Sequence, residues 1–162
     1  MRFLTIFFLL FSIISFGQKL PNYPTPFEKG NGNQSTTYEE CIAYYKELDA
    51  NFETIQLFEK GKTDSGKPLH IVVFSDNKNF NFQQNKAKIL VNNGIHPGEP
   101  DGIDASMQLL RDLATQKTKV PKNTMIIVIP VYNIGGMLNR NSTSRANQNG
   151  PEVYGFRGNA RN

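Results

Sequence analysis

The chain has 162 residues, enough for one domain with a real hydrophobic core. Its 18 Lys and Arg against 14 Asp and Glu leave a formal charge of +4, and the basic residues are scattered. Without a basic stripe interleaved with aromatics, that charge is a solvated surface and argues against a nucleic-acid partner.

Met1-Arg2 is a short basic start, followed by an almost unbroken apolar run from Phe3 to Phe16 and small residues at Ser15 and Gly17. The run is shorter than the ~20 residues of a membrane span and fits the hydrophobic stretch of a secretory signal peptide. Residues 1–17 are therefore expected to be a signal peptide cleaved near Gly17, with an uncleaved anchor as the alternative. This places the protein outside the cell or in the periplasm, with no membrane association after cleavage. The lone cysteine, Cys41, supports no intramolecular disulfide and reads as a buried small apolar residue.

Residues 18–35 are rich in Pro, Gly and Asn and read as an extended lead-in. Thr37 and Glu40 then form a capping-box pattern that opens a helix running to Leu48 or Phe52, with Cys41, Tyr44, Tyr45 and Leu48 on its apolar side. Thr54 to Lys60 alternates as a half-buried strand does, Thr63 to Gly66 is a turn, and Pro68 to Phe74 is a more continuously apolar strand. Lys88 to Val91 is short and apolar, which suits a sheet covered on both faces. Pro100 fits the first position of a helix whose stripe is Ile103, Met107, Leu110 and Ala114, ending near Thr115 to Lys117. Thr124 to Val131 is the strongest buried-strand candidate. Strand, helix and strand at this spacing predict a parallel pair. From Asn133 onward no apolar periodicity returns, and a loop of this length is functional or disordered.

The chemistry concentrates where the strand ending at Val91 gives way to Gly94-Ile95-His96-Pro97-Gly98-Glu99-Pro100. In open α/β sheets ligands bind beyond the carboxyl ends of strands. Imidazole and carboxylate are both zinc ligands, and a tight turn at Pro97-Gly98 can aim them at one point. The alternative is a surface histidine and a first-turn glutamate that favours the helix dipole.

In that setting His96-Pro97-Gly98-Glu99 resembles the zinc carboxypeptidase family. Pro130-Val131-Tyr132-Asn133-Ile134-Gly135-Gly136 is similar to the family's segment after the next parallel strand, an Asn-Pro-Asp-Gly pattern in many members, with Ile134 and Gly135 departing from it. Gly155-Phe156-Arg157-Gly158 and Ala160-Arg161-Asn162 resemble the stretch whose aromatic-Arg pair supplies an oxyanion-stabilising guanidinium. The similarity spans residue 36 to the end. It implies an α/β fold with a mixed, largely parallel sheet and helices on both faces, and a partial catalytic domain over residues 36–162 that looks incomplete at its C-terminus. It further implies Zn2+ as cofactor, His96 and Glu99 as metal ligands, Arg157 as the catalytic guanidinium, and a peptide or protein C-terminus as substrate, cleaved through metal-activated water. A solvated surface residue is the alternative for Arg157, and Arg161 and Arg145 compete for its role.

The family's third ligand, a histidine, and its general base, a glutamate, lie further downstream than this chain reaches. The other histidine, His70, sits in an apolar strand and reads as a sheet residue. Two alternatives stand beside the peptidase. One is a zinc amidase or deacylase of the succinylglutamate-desuccinylase type, whose turn usually carries Gly-Asn where Pro97-Gly98 stands. The other is a non-catalytic carboxypeptidase-like fragment or binding module.

Overall fold

A computed structural model describes residues 22–145, 148 and 150–161. The expected signal peptide lies outside them. The lead-in is not wholly extended: Pro26–Lys29 forms a turn of helix, α1. Its cause is local, because the Thr25 side chain accepts the Glu28 N–H at 3.3 Å while Glu28 accepts the Thr25 N–H at 2.8 Å. Pro26 at the first helical position loses no bond by lacking an N–H.

The long helix α2, Tyr38–Asn51, starts with the expected capping box of Thr37 and Glu40. It buries Cys41, Tyr44, Tyr45 and Leu48. Strands β1 (Ile55–Lys62) and β2 (Pro68–Ser75) form a hairpin, and β3 (Ala87–Asn92), α3 (Asp101–Ala114) and β4 (Thr124–Ile129) form the strand-helix-strand unit. Pro100 is the residue before α3, one position outside the expected first helical site. A short helix α4, Ile134–Leu138, interrupts the stretch expected to lack structure.

The sheet runs β1-β2-β4-β3. The predicted parallel pair is present, with Ile89 opposite Ile126 and Val91 opposite Val128. The fold is mixed α/β, but the sheet among the described residues is not largely parallel, because β1 with β2 and β2 with β4 are antiparallel. The hairpin explains the first reversal: a connection as short as residues 63–67 joins only antiparallel strands. The second follows from β2 entering beside β4, a pairing between segments far apart in the chain.

Among the described residues the helices gather on one face. Residues of α2, α3 and α4 share one buried cluster with Ile55, Val72, Phe74, Ile126 and Val128, and these strand residues lie in register on one face. The opposite face is covered near β1 by the 76–86 loop, where Phe82 packs against Phe58 with ring centroids 6.3 Å apart. Strand β3, at the edge of the sheet among the described residues, is exposed on both faces, with Ile89 and Leu90 at 50% and 62% exposure. The lead-in is tied down by Arg111 of α3, which is 2% exposed and donates to Glu28 of α1 and, at 2.8 Å, to Asp112. Among the described residues no helix is long and apolar enough to cross a membrane.

Candidate active site

The site grows from the ends of the two parallel strands. Beyond β3 the backbone keeps pairing with the segment after β4: Tyr132 N–H donates to Asn93 O at 2.8 Å and Asn133 N–H to Gly94 O at 2.9 Å. Gly94 turns the chain with φ +62, and a Cβ there would lie 3.2–3.3 Å from Ile103 and Val131. Glycine is needed for both the dihedral and the space. The buried Asn93 amide donates to Ser106 Oγ at 2.8 Å, fixing the strand end against α3.

The next turn closes when Glu99 N–H donates to His96 O at 2.8 Å. It is the tight non-helical turn expected of Pro97-Gly98, and it directs both side chains to one place. His96 Nδ1 lies 3.8 Å from Glu99 Oε2, and the two side chains are 34% and 47% exposed. Neighbouring ligands of a tetrahedral zinc with bonds of about 2.0–2.1 Å stand roughly 3.3–3.5 Å apart. The pair therefore fits two positions of such a site with a small adjustment. Among the described residues no group of three metal-binding side chains occurs.

Arg157 arrives from a distant segment, positioned mainly through backbone atoms. The Asn133 amide donates to the carbonyls of Ile95 at 3.3 Å, Arg157 at 3.1 Å and Gly158 at 3.0 Å. Its Oδ1 accepts the Gly136 N–H at 2.9 Å. Phe156 N–H donates to Gly136 O at 2.7 Å. A Cβ on Gly135 or Gly136 would come within 3.0 Å of backbone atoms in residues 156–160. The Gly-Gly pair is thus what lets the arginine segment dock. The result is a cleft of about 520 Å³ lined by Ile95, His96, Tyr132, Asn133, Arg157 and, from the β1–β2 turn, Asp64.

The competing arginines take other places. Arg145 Nη1 donates to Glu99 Oε1. This hydrogen bond holds the Glu99 carboxyl below its ordinary value; desolvation opposes it, and the charges of Arg145, His96 and Arg157 add to the lowering. Arg161 does not line the cleft. His70 sits on β2 in the core, 6% exposed, with Nδ1 3.4 Å from Tyr38 Oη. Burial pushes its pKa down. It is the sheet residue the sequence suggests. Sequence reasoning passed over the contact of Arg145 with Glu99 and the part played by Asn133. A signal for the second existed in Asn133 followed closely by two glycines.

A family model described as zinc carboxypeptidase matches residues 41–161. Carboxypeptidase A from Helicoverpa armigera is a similar solved structure, with a TM-score of 0.61 and 21% identity over 85% of this chain and 33% of that one. Bovine thrombin-activatable fibrinolysis inhibitor, solved with tick carboxypeptidase inhibitor, gives a TM-score of 0.55 and 15% identity over 65% of this chain and 33% of that one. A metallo-carboxypeptidase from Burkholderia cenocepacia gives 0.51 and 17%, over 64% of this chain and 28% of that one. The chain thus spans about a third of the length of these structures. No curated protein matches the chain. The structural likenesses carry the fold, and the family match runs through the turn, the cleft and the arginine segment: the chain belongs to the zinc carboxypeptidase family.

Proposed function

We propose that the protein acts as a zinc-dependent carboxypeptidase, hydrolysing the C-terminal peptide bond of peptides or proteins. The observation that carries this is the convergence of His96 Nδ1 and Glu99 Oε2, 3.8 Å apart, beside a cleft walled by Arg157. His96 and Glu99 would hold the metal, and Arg157 is the catalytic guanidinium. Bound zinc supplies a Lewis acid and lowers the pKa of a coordinated water from about 15.7 toward about 7.

The chain's own groups do the rest. Arg157 donates to the scissile carbonyl oxygen and stabilises negative charge as it builds there. Asn133 holds the Arg157 and Gly158 carbonyls, so the guanidinium is presented from a fixed backbone. Ile95 and Tyr132, 50% and 53% exposed, give the cleft apolar walls against which a substrate side chain can exclude water. A secreted or periplasmic setting would follow if the apolar run from Phe3 to Phe16 is the signal peptide its sequence suggests.

The test is zinc binding by competition with a chromophoric chelator, together with mass-spectrometric detection of amino acids released from a peptide. A protein that carries this segment together with a third ligand should bind zinc, and His96→Ala and Glu99→Gln should weaken that binding sharply. Release of an acyl group from an acyl-amino acid, with peptides untouched, would replace this reading with the amidase one. Zinc bound without any turnover would favour a non-catalytic module.

A further inference from the structure

We infer that Asp64, on the turn between β1 and β2, is a specificity-determining residue of the cleft and selects peptides that carry a cationic group. The inference deepens the peptidase reading by naming a substrate class, and it rests on that reading only in taking a peptide as the occupant.

The turn holds Asp64 at the cleft through its own bonds. Thr63 N–H and Oγ1 both donate to Lys67 O, at 2.9 and 2.8 Å, and Gly66 N–H donates to Thr63 O at 3.0 Å. Gly66 closes the turn with φ +77, a conformation that glycine adopts without strain. Strand β2 runs antiparallel to β4, so the turn before β2 stands at the sheet end where β4 and β3 finish. That topology brings Asp64 to the cleft that His96 and Arg157 also line.

Asp64 is the acidic residue among those lining the cleft, and its carboxylate makes no hydrogen bond or ion pair among the described residues. Lys67, three positions on, turns its ammonium instead to Glu39 at 3.4 Å and over the Tyr38 ring. The Arg157 guanidinium is equally uncommitted, since the bond printed by this residue to Asn133 uses its carbonyl. One cleft thus holds an unpaired anion and an unpaired cation that do not meet each other, beside the apolar Leu69, Ile95 and Tyr132. A peptide whose carbonyl or carboxylate is taken by Arg157 and whose ammonium or guanidinium is taken by Asp64 matches both charges. Such complementarity chooses between ligands more than it adds affinity.

The experiment titrates the full chain with N-acetylated alanine tripeptides carrying lysine, or its neutral counterpart glutamine, at each position in turn. Binding is read by NMR chemical-shift changes with a chelator present, so neither metal nor turnover enters. Circular dichroism would check that the variants are folded. The best lysine peptide should bind about two- to fivefold more tightly than its glutamine counterpart, the range of an exposed ion pair. Asp64→Asn should remove that preference, Asp64→Glu should keep it, and high salt should shrink it. Unacetylated trialanine separates the two sources of the cation: an Asp64-dependent gain over its acetylated form would assign the α-amino group, and a gain from lysine alone would assign the side chain. A wild-type chain without preference for either cation, or one that binds none of the peptides, would overturn the inference. So would a preference that persists in folded Asp64→Asn. Asp64-dependent binding in a protein that hydrolyses no peptide would uphold the inference and sink the carboxypeptidase reading.

Discussion

Asp104 lies in the first turns of α3, 5% exposed, at a place where a carboxylate is costly. Burial pushes its pKa up to about 7 from an ordinary 3.8, and Asp101 nearby adds to the rise. The Thr36 N–H and the Arg140 charge oppose it without cancelling it. Arg140 is spent elsewhere, donating to Thr36 O at 2.9 Å, to Ser35 O and Oγ at 3.1 and 2.8 Å, and to Val153 O at 2.9 Å. Asp104 Oδ1 is left without a hydrogen-bond partner, as is the buried Tyr45 Oη.

A folded-state pKa above the unfolded one means that the native chain binds the proton more tightly. The contribution to stability is fully present below about pH 4, is lost as pH rises toward 7, and is flat above that. A shift of about three units at about 1.4 kcal/mol per unit sets the size at roughly 4 kcal/mol. Asp104→Asn keeps the shape and the acceptor for Thr36 but cannot ionise. Urea unfolding of both proteins between about pH 4 and about pH 8 should show the variant gaining on wild type as pH rises, by up to about 4 kcal/mol. The difference isolates Asp104, since every other titrating group is common to both. Parallel curves would refute the reasoning and mean that the carboxylate is adequately solvated or paired.

Three further outcomes follow from the geometry. If Arg157 is the proposed oxyanion donor, Arg157→Met in a protein that shows the proposed activity should lower kcat about a hundredfold or more with a smaller effect on KM, read by steady-state peptide hydrolysis, because such a donor acts in the transition state. Gly136→Ala should destabilise by about 1–3 kcal/mol in urea unfolding, although alanine in a helix is ordinarily favoured by up to about 1 kcal/mol, because its Cβ would meet the Phe156 and Gly158 carbonyls. Among the described residues β3 is an edge strand with Leu90 62% exposed, so any concentration-dependent self-association of this chain in sedimentation velocity should fall in Leu90→Lys, because a charge discourages strand pairing at an apolar edge.

Much of the fold was legible where its cause is local. The Thr37–Glu40 box fixes the start of α2, the turn before Pro68 fixes the hairpin, and an apolar run, a helix and a second run fix the parallel pair β3–β4. The box at Thr25 and Glu28 follows the same rule, yet the surrounding Pro, Gly and Asn made that stretch read as extended. Sheet direction was not legible, because β2 reaches β4 across an intervening strand and helix, and no short-range pattern encodes that choice. Helix α4 has two glycines in five residues and would be poor in isolation; docking of residues 156–160 against it supplies what propensity does not. At the site, the His96–Glu99 turn could be seen because the two groups stand only three positions apart. Arg145 reaches Glu99 from 46 residues away, and nothing near either residue announces the contact.

Asn133 shows how the remote half of the site is held, and it can be tested by exchanging a single nitrogen for oxygen. Its amide nitrogen faces three carbonyls, of Ile95, Arg157 and Gly158, while its oxygen accepts from Gly136. An amide has only two N–H donors, so the three contacts share them, and the nitrogen end is fully engaged. Asn133→Asp would keep the acceptor for Gly136 and turn the other end into an oxygen facing three oxygens. Each carbonyl would lose its donor, at about 1–3 kcal/mol for a group left unsatisfied away from water. The expected net loss is about 2–3 kcal/mol in urea unfolding, since part of the cluster reaches solvent. The loss should be larger for Asn133→Asp than for Asn133→Ala, which removes the bonds without adding repulsion. If the two variants are equally stable, the nitrogen does not organise the Arg157 segment, and its fixed presentation must come from the glycine contacts alone.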